Sequence, residues 1–318
     1  MDYLENLRSG DGRFLARALS AVVERAPGAE ALLRAIYPAT GHALVAGLTG
    51  PPGSGKSTLV DGLARAYRTR GETLGVVAVD PTSPFTGGAI LGDRIRMQAH
   101  HADPGIFIRS LATRGALGGL AQAASDVVAV LDAAGKDRIL VETVGVGQDE
   151  VDIIQLADVT VVVLVPGMGD EVQAIKAGLM EIADVFVINK CDRGPEKLEQ
   201  EIKAMLALAP AGPESDAWRP PVVKTVATQG EGIEGLIEVI AERLAWIEAH
   251  GGLAQHRARQ WQQRLRQFAR DRLAQRLLDP WLSDERVERL AESIATHGTD
   301  PYTAVDALIQ QALQTSLQ

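Results

Sequence analysis

The stretch Gly50-Pro51-Pro52-Gly53-Ser54-Gly55-Lys56-Ser57, followed by Thr58, matches the pattern G-x-x-x-x-G-K-[ST] of a phosphate-binding P-loop. The apolar run 43–49 before it reads as a buried strand. The run 59–67 after it carries apolar residues at helical spacing. The glycines therefore stand where a strand turns into a helix, which is the context that this motif requires.

Each residue type in this loop has a physical task. Glycines let the backbone wrap closely around phosphate oxygens with its N–H groups pointing inward, and the following helix adds partial positive charge. The Lys56 ammonium can reach the β- and γ-phosphates, and the Ser57 hydroxyl can ligate Mg²⁺. We therefore expect Mg²⁺-dependent binding of a nucleoside triphosphate by residues 50–58.

Composition limits the class of protein. The chain has 318 residues, 46% hydrophobic and 23% charged, with a net charge of -9 and one cysteine. This acidic balance disfavours non-specific binding to nucleic acid, and one cysteine excludes a disulfide framework within the chain. The N-terminal sequence lacks signal-peptide features, and no apolar run approaches the roughly 20 residues of a membrane helix. We expect a soluble, cytoplasmic protein with no nucleic-acid or membrane partner.

Strand-like and helix-like runs alternate over much of the chain. The predicted strands are Leu44–Leu48, Leu74–Val79, Ile106–Ile108, Arg138–Val141, Val159–Val165, Val185–Ile188 and Val222–Thr225. Several are continuously apolar, which is typical of parallel strands buried on both faces. The pattern predicts an α/β fold of the P-loop NTPase type, with a doubly wound, mostly parallel sheet.

Three segments are predicted. Residues 1–40 form an N-terminal helical extension that covers the sheet or offers a partner surface, and residues 41–245 form the P-loop domain. From about 235 the chain is predicted to be helical throughout, with one break at 300–302, and residues 246–318 form a C-terminal segment for dimerisation or partner docking. The arginine-rich run 257–276 is interpreted as a solvated helix face or a surface for an acidic partner.

Four residues at predicted strand or helix ends are candidates for the Mg²⁺ and γ-phosphate contacts. Asp80 ends the second strand and Asp93 heads the next helix, although a turn aspartate and a helix-capping aspartate are the structural alternatives. Glu142 ends the fourth strand, where a P-loop protein carries an acidic Mg²⁺ contact. Gly145 can sense the γ-phosphate through its N–H.

The sixth strand runs into Asn189-Lys190-Cys191-Asp192, which has the form N-K-x-D. The Asp192 carboxylate can accept two hydrogen bonds from guanine N1–H and its exocyclic amine, a donor pair that adenine lacks. Asn189 is predicted to buttress the loop, and the Lys190 stem to lie over the base. Residues Val226, Ala227 and Thr228 follow the last strand, where backbone N–H groups can contact the base from the other side.

Taken together, these motifs resemble the MeaB/ArgK family of GTPases associated with methylmalonyl-CoA mutase. The most specific of them are Val79-Asp80-Pro81-Thr82-Ser83-Pro84 and Glu142-Thr143-Val144-Gly145-Val146-Gly147-Gln148. The resemblance implies a homodimeric GTPase that binds GTP and GDP and acts as chaperone of an adenosylcobalamin-dependent mutase, gating cofactor loading and protecting or reactivating the mutase. It also implies that Ser57, Asp80, Asp93 and Glu142 surround Mg²⁺, with Lys56, Asp80, Asp93 and Gly145 in catalytic roles.

Two positions depart from familiar patterns. Val146 follows Gly145 where Ras-type GTPases place a water-orienting glutamine, which predicts slow intrinsic hydrolysis that a partner stimulates. Val226 stands where many members of the family carry serine. The alternatives are a GTPase metallochaperone, which needs Cys or His ligands beyond Cys191, and a small-molecule or protein kinase, such as the older arginine/ornithine transport kinase annotation of this family.

Overall fold

The structure is a computed structural model, and it describes residues 3–80, 103–112, 119–143, 156–167, 182–208, 217–274 and 281–316. By the density of its contacts the chain divides into two compact units, Met1–Arg257 and Ala258–Gln318. The predicted boundaries at 40 and 245 remain predictions.

The described part of the chain contains seven strands. They are β1 (Leu44–Thr49), β2 (Leu74–Asp80), β3 (Ile106–Ala112), β4 (Arg138–Glu142), β5 (Val159–Leu164), β6 (Val185–Ile188) and β7 (Val222–Lys224). The helices of the first unit are α1 (Tyr3–Arg8), α2 (Gly12–Val23), α3 (Ala29–Ile36), α4 (Lys56–Thr69), α5 (Gly119–Ala133), α6 (Glu196–Leu208) and α7 (Ile233–Ala249). Helix α8 (Gly252–Leu273) crosses the unit boundary, and α9 (Asp284–Ala295) and α10 (Pro301–Ser316) follow.

The strands form one sheet in the order β3-β2-β4-β1-β5-β6-β7, and every described pair is parallel. The predicted α/β fold and each predicted strand are confirmed, with ends that differ by a few residues. Strand β1 is central, between β4 and β5. Because ligands of open parallel sheets bind beyond the carboxyl ends of the strands, the loop after β1 lies where a ligand is expected.

Two helical layers cover the sheet. On one face α4 and α7 pack on residues such as Leu48 and Val161, and on the other face α1, α2, α3 and α5 pack on residues such as Val45 and Val77. Leu19 of α2 is 0% exposed. The N-terminal helices therefore cover the sheet, which was one of the two roles expected for residues 1–40.

Three aspartates stand at the amino edge of the sheet, each immediately before a strand, and we call them the amino-edge aspartates. Asp137, Asp158 and Asp184 precede β4, β5 and β6. Their carboxylates accept hydrogen bonds from the backbone N–H groups of Thr73 (2.7 Å), Val45 (2.9 Å) and Thr160 (2.8 Å), respectively. Each aspartate thus joins the start of its own strand to a neighbouring strand.

The C-terminal helices differ from the sequence prediction in two described places, at 250–251 and at 282–283, immediately before α9. The expectation of continuous helix from about 235 is wrong at 250–251, where α7 ends and the chain turns before α8. Gly251 and Gly252 adopt φ of 117° and 81°, which a helix cannot continue through. The predicted break near 300 is confirmed, since α10 begins at Pro301.

Helix α10 has two rows of apolar residues, one buried and one exposed. Ala304, Leu308 and Ala312 are buried, whereas a second row is exposed and consists of Tyr302, Val305, Ile309 and Leu313. No helix in the described ranges is long and apolar enough to cross a membrane.

Candidate functional site

The P-loop lies between the carboxyl end of β1 and the first turn of α4, which begins at Lys56. Gly50 has φ of 139°, and a Cβ atom there would lie 2.1 Å from the Val163 carbonyl oxygen. That carbonyl belongs to β5 and cannot yield, so only glycine fits this position. The close approach sets the loop directly against the neighbouring strand.

Lys56 is buried, and its Nζ donates hydrogen bonds to two carbonyl oxygens of its own loop. These are the oxygens of Gly50, at 2.7 Å, and of Pro51, at 3.1 Å. The Lys56 ammonium therefore contacts the P-loop backbone, and it is predicted to contact the phosphates when a nucleotide is bound. Phosphate oxygens are stronger acceptors for an ammonium than neutral carbonyls, so this arrangement can change when a nucleotide binds.

The side chains of Ser57, which follows the P-loop lysine, and Glu142, at the end of β4, contact each other. The Ser57 hydroxyl donates a 2.6 Å hydrogen bond to Glu142 Oε1, and both residues are buried. A hydroxyl and a carboxylate are hard oxygen donors of the kind that Mg²⁺ takes, so these two residues fit the predicted metal ion. The described residues contain no cluster of three or more His, Cys, Asp or Glu side chains that could hold a metal ion.

The remaining metal and catalytic candidates are only partly described. Asp80 is the last residue of β2, and its backbone pairs with Ala112 of β3 at the carboxyl edge of the sheet. Asp93 and Gly145 lie outside the described residues, as does Val146.

Asn189 joins the P-loop to the predicted base-binding loops, and it is 2% exposed. Its Nδ2 donates to the Ser54 carbonyl oxygen at 2.9 Å. Its Oδ1 accepts from Thr225 Oγ1 and from the backbone N–H of Ala227, both at 3.1 Å. One amide thus fixes three segments, which is the buttressing role expected from the N-K-x-D motif.

Lys190 and Asp192 continue this loop. Lys190 adopts φ of 58°, and its Nζ donates to the Gly53 carbonyl oxygen at 2.8 Å, so its stem reaches across to the P-loop. Asp192 lies in the short 3-10 turn Cys191–Arg193 with its side chain exposed. Burial raises the pKa of the Cys191 thiol, which keeps this thiol protonated.

The third segment is the turn after β7. Val226 and Ala227 are buried, and Thr228 is exposed within the 3-10 turn Ala227–Gln229. The backbone N–H of Ala227 is already bonded to Asn189, so this N–H is a structural donor. Sequence reasoning missed Thr225, whose hydroxyl helps to hold Asn189, because a threonine at a strand end has no distinguishing pattern.

The P-loop, the buried Ser57–Glu142 pair and the N-K-x-D loop thus lie together at the carboxyl edge of one parallel sheet. A family model described as "Methylmalonyl Co-A mutase-associated GTPase MeaB" matches residues 15–280. The chain belongs to the MeaB family. It is accordingly a GTPase, which confirms the predicted enzyme class.

Relatives of the MeaB family match over most of the chain. A Pyrococcus abyssi protein named as a GTPase is 47% identical over 98% of this chain and 96% of its own length. The GTPase ArgK of Escherichia coli is 38% identical over 81% of this chain and 80% of its own length. A crystal structure of a LAO/AO transport system kinase superposes with a TM-score of 0.69 at 29% identity, covering 98% of this chain and 96% of that one.

Proposed function

We propose that this GTPase is a chaperone of an adenosylcobalamin-dependent acyl-CoA mutase of the methylmalonyl-CoA mutase type. The observation that carries the proposal is the match of residues 15–280 to a family described as mutase-associated. In this role the GTPase gates loading of the mutase cofactor and protects or reactivates the mutase.

Guanine selection depends on Asp192. Its exposed carboxylate follows a loop that Asn189 and Lys190 fix to the P-loop, so the acceptor is held at a set distance from the phosphate site. The carboxylate accepts hydrogen bonds from guanine N1–H and the exocyclic amine. Adenine offers no such pair and would leave the carboxylate without partners, which gives strong selection against ATP.

The phosphates are held by the P-loop backbone N–H groups, by the first turn of α4 and by Lys56. Ser57 and Glu142 would hold Mg²⁺, together with Asp80 and Asp93. When bound, this ion supplies charge neutralisation at the phosphate oxygens. Hydrolysis is intrinsically slow in this proposal, because Val146 cannot orient a water molecule, and the partner completes the site.

The assembly that we propose is a homodimer built on the C-terminal helices. The exposed row on α10, Tyr302, Val305, Ile309 and Leu313, supports this assignment. A helix face of this kind normally packs against another protein surface.

The test is retention of the purified mutase by the immobilised GTPase with a non-hydrolysable GTP analogue, with GDP and with no nucleotide. The matched control is Asp192→Asn, which exchanges one acceptor for a donor and should prefer xanthine nucleotides. We expect retention to depend on the GTP analogue for the wild type and on the xanthosine analogue for the variant. Equal affinity for ATP and GTP, or retention of the mutase that does not depend on the bound nucleotide, would contradict the proposal.

A further inference from the structure

The corner between α7 and α8 combines a flexible backbone with two unequal attachments to the sheet. Gly251 and Gly252 both have left-handed φ values, and neither carries a side chain that could pack across the turn. Such a pair can absorb a change in backbone angle at low cost, so the corner is a suitable pivot.

The α7 side of the corner is firmly embedded. Arg243 of α7 is 9% exposed, and its Nε lies 2.7 Å from Asp184 Oδ1, the amino-edge aspartate before β6. Its guanidinium also lies over the rings of Trp218, at 5.1 Å, and Trp246, at 4.7 Å. Apolar side chains of α7 add to this attachment, because the helix contributes a buried row to the core.

The α8 side is attached by polar contacts. Arg257 Nε and Nη2 each lie 2.7 Å from one oxygen of Asp158, the amino-edge aspartate before β5. Arg257 Nη1 donates to the Gly41 carbonyl oxygen at 2.6 Å, and Nη2 donates to the Ala43 carbonyl oxygen at 2.8 Å. One guanidinium thereby holds α8 to the start of β1 and of β5.

No fully buried apolar side chain supports this attachment in the described part of α8, where Leu253 is half-buried. None of the described side chains between Gly252 and Leu273 is buried. The Asp158 side chain is 1% exposed, whereas that of Arg257 is 23% exposed, so water reaches one side of the pair. The Arg243–Asp184 pair is comparably exposed, at 11% and 16%. What distinguishes the two attachments is the buried apolar row of α7, which the described part of α8 does not have.

We propose that Gly251–Gly252 and the Arg257–Asp158 pair form a hinge and its latch, which hold the first turns of α8 on the amino edge of the sheet. Arg257 is the last residue of the first unit, and the chain enters the second unit through this same helix. Opening the latch frees the start of α8 to move about the two glycines, while Arg243 keeps α7 in place. This inference concerns the start of α8, within the first unit, and does not depend on which protein the GTPase serves.

The test is hydrogen–deuterium exchange of the full-length protein bound to GDP, followed in peptides from residues 250–262, from β1 and from α7. Arg257→Met removes the guanidinium and keeps an apolar stem of similar length. We expect exchange in 250–262 to rise by about tenfold or more, with wild-type rates in β1 and α7 and wild-type affinity for GDP.

Arg259→Met is the matched control, because this arginine is exposed on the same helix and lies one half-turn away. If loss of Arg257 leaves Asp158 buried without its counter-charge and the variant fails to fold, the double variant Arg257→Met/Asp158→Asn replaces it, since asparagine still accepts from the Val45 N–H. Unchanged exchange in 250–262, an equal rise in β1 and α7, or the same rise in Arg259→Met would each overturn the hinge and latch.

Discussion

At the scale of single residues, Asn189 joins the N-K-x-D loop to the P-loop through a side-chain hydrogen bond. The two loops are 135 residues apart in sequence at their contact, yet one amide bonds to both and to the turn after β7. The proposed guanine and phosphate sites are therefore linked by one buried side chain, whose Oδ1 already accepts hydrogen bonds from Thr225 and Ala227.

Replacing Asn189 with alanine should weaken both stability and nucleotide binding. The Ser54 carbonyl and the Ala227 N–H would lose buried partners, which costs about 2–4 kcal/mol in the free energy of unfolding. Urea unfolding and titration with fluorescent GDP measure the two effects. Thr228→Ala changes an exposed residue of the turn after β7, and its free energy of unfolding should stay within about 0.5 kcal/mol of the wild type. Equal stabilities of the two variants would rule out the buttressing role.

At the scale of secondary structure elements, the sequence predicts strands better than their connections. Strands β1, β5 and β6 are continuous apolar runs, and such runs are buried wherever the sheet has helices on both faces. The sequence prediction missed the turn at Gly251–Gly252, although a pair of glycines after a helix is itself a stop signal, because helix-forming residues resume directly after it. The Arg257–Asp158 ion pair could not be predicted from the sequence either, since its members lie 99 residues apart and neither belongs to a motif.

The N-terminal helices should behave as part of the core. Leu19 of α2 is 0% exposed and packs in the cluster shared with α5, so Leu19→Ala should cost about 2–5 kcal/mol in the free energy of unfolding. Chemical denaturation of the full chain measures this cost. Tyr37→Ala is the comparison, because Tyr37 is 56% exposed, and it should change stability by no more than about 0.5 kcal/mol. A cost below that level for Leu19→Ala would show that the layer is dispensable.

The start of β4 should show a specific pH dependence. The backbone N–H of Thr73 holds the pKa of the Asp137 carboxyl below its usual range, although partial burial opposes this effect. A lowered folded-state pKa stabilises the protein above the unfolded value of about 3.9, and this contribution is lost as the pH falls through the folded value.

Asp137→Asn should therefore lower Tm at pH 7 and should match the wild type more closely as the pH falls below about 4. The difference is of the order of a degree, because the carboxylate is largely exposed and is screened by solvent. Thermal scans at a series of pH values measure it. A difference in Tm between Asp137→Asn and the wild type that widens in acid would contradict this assignment.

At the scale of the whole molecule, the division at Arg257 places the candidate nucleotide site in one unit and, among the described residues, all large exposed apolar side chains except Tyr37 in the other. Every described element of the candidate site lies in the first unit, whereas Trp261, Leu265, Tyr302, Val305 and other large exposed apolar residues lie in the second. The sequence predicts a separate C-terminal segment from its strand-free, helical character, and the dimerisation or docking role of that segment stays a prediction. The sequence could not predict where the boundary falls, because the boundary lies inside one helix, α8.

Heating should therefore reveal two transitions that respond differently to nucleotide. GDP binds only the first unit, and ligand at 100 times its Kd stabilises the unit that binds it by about 2.7 kcal/mol. We expect the transition of residues 1–257 to move upward and that of residues 258–318 to stay in place, as followed by calorimetry. Asp192→Asn at the same GDP concentration should remove the shift. A single transition that moves as a whole would mean that the two units unfold together.

The amino-edge aspartates have a consequence for where the sheet comes apart first. Parallel strands ordinarily fray at both ends, since terminal amides have the fewest partners. Here the N–H groups of Thr73, Val45 and Thr160 each donate to a carboxylate, so we expect fraying to occur more readily at the opposite ends of the strands. The P-loop and the N-K-x-D loop follow those opposite ends. The backbone there can therefore loosen for nucleotide release while the register of the sheet is preserved.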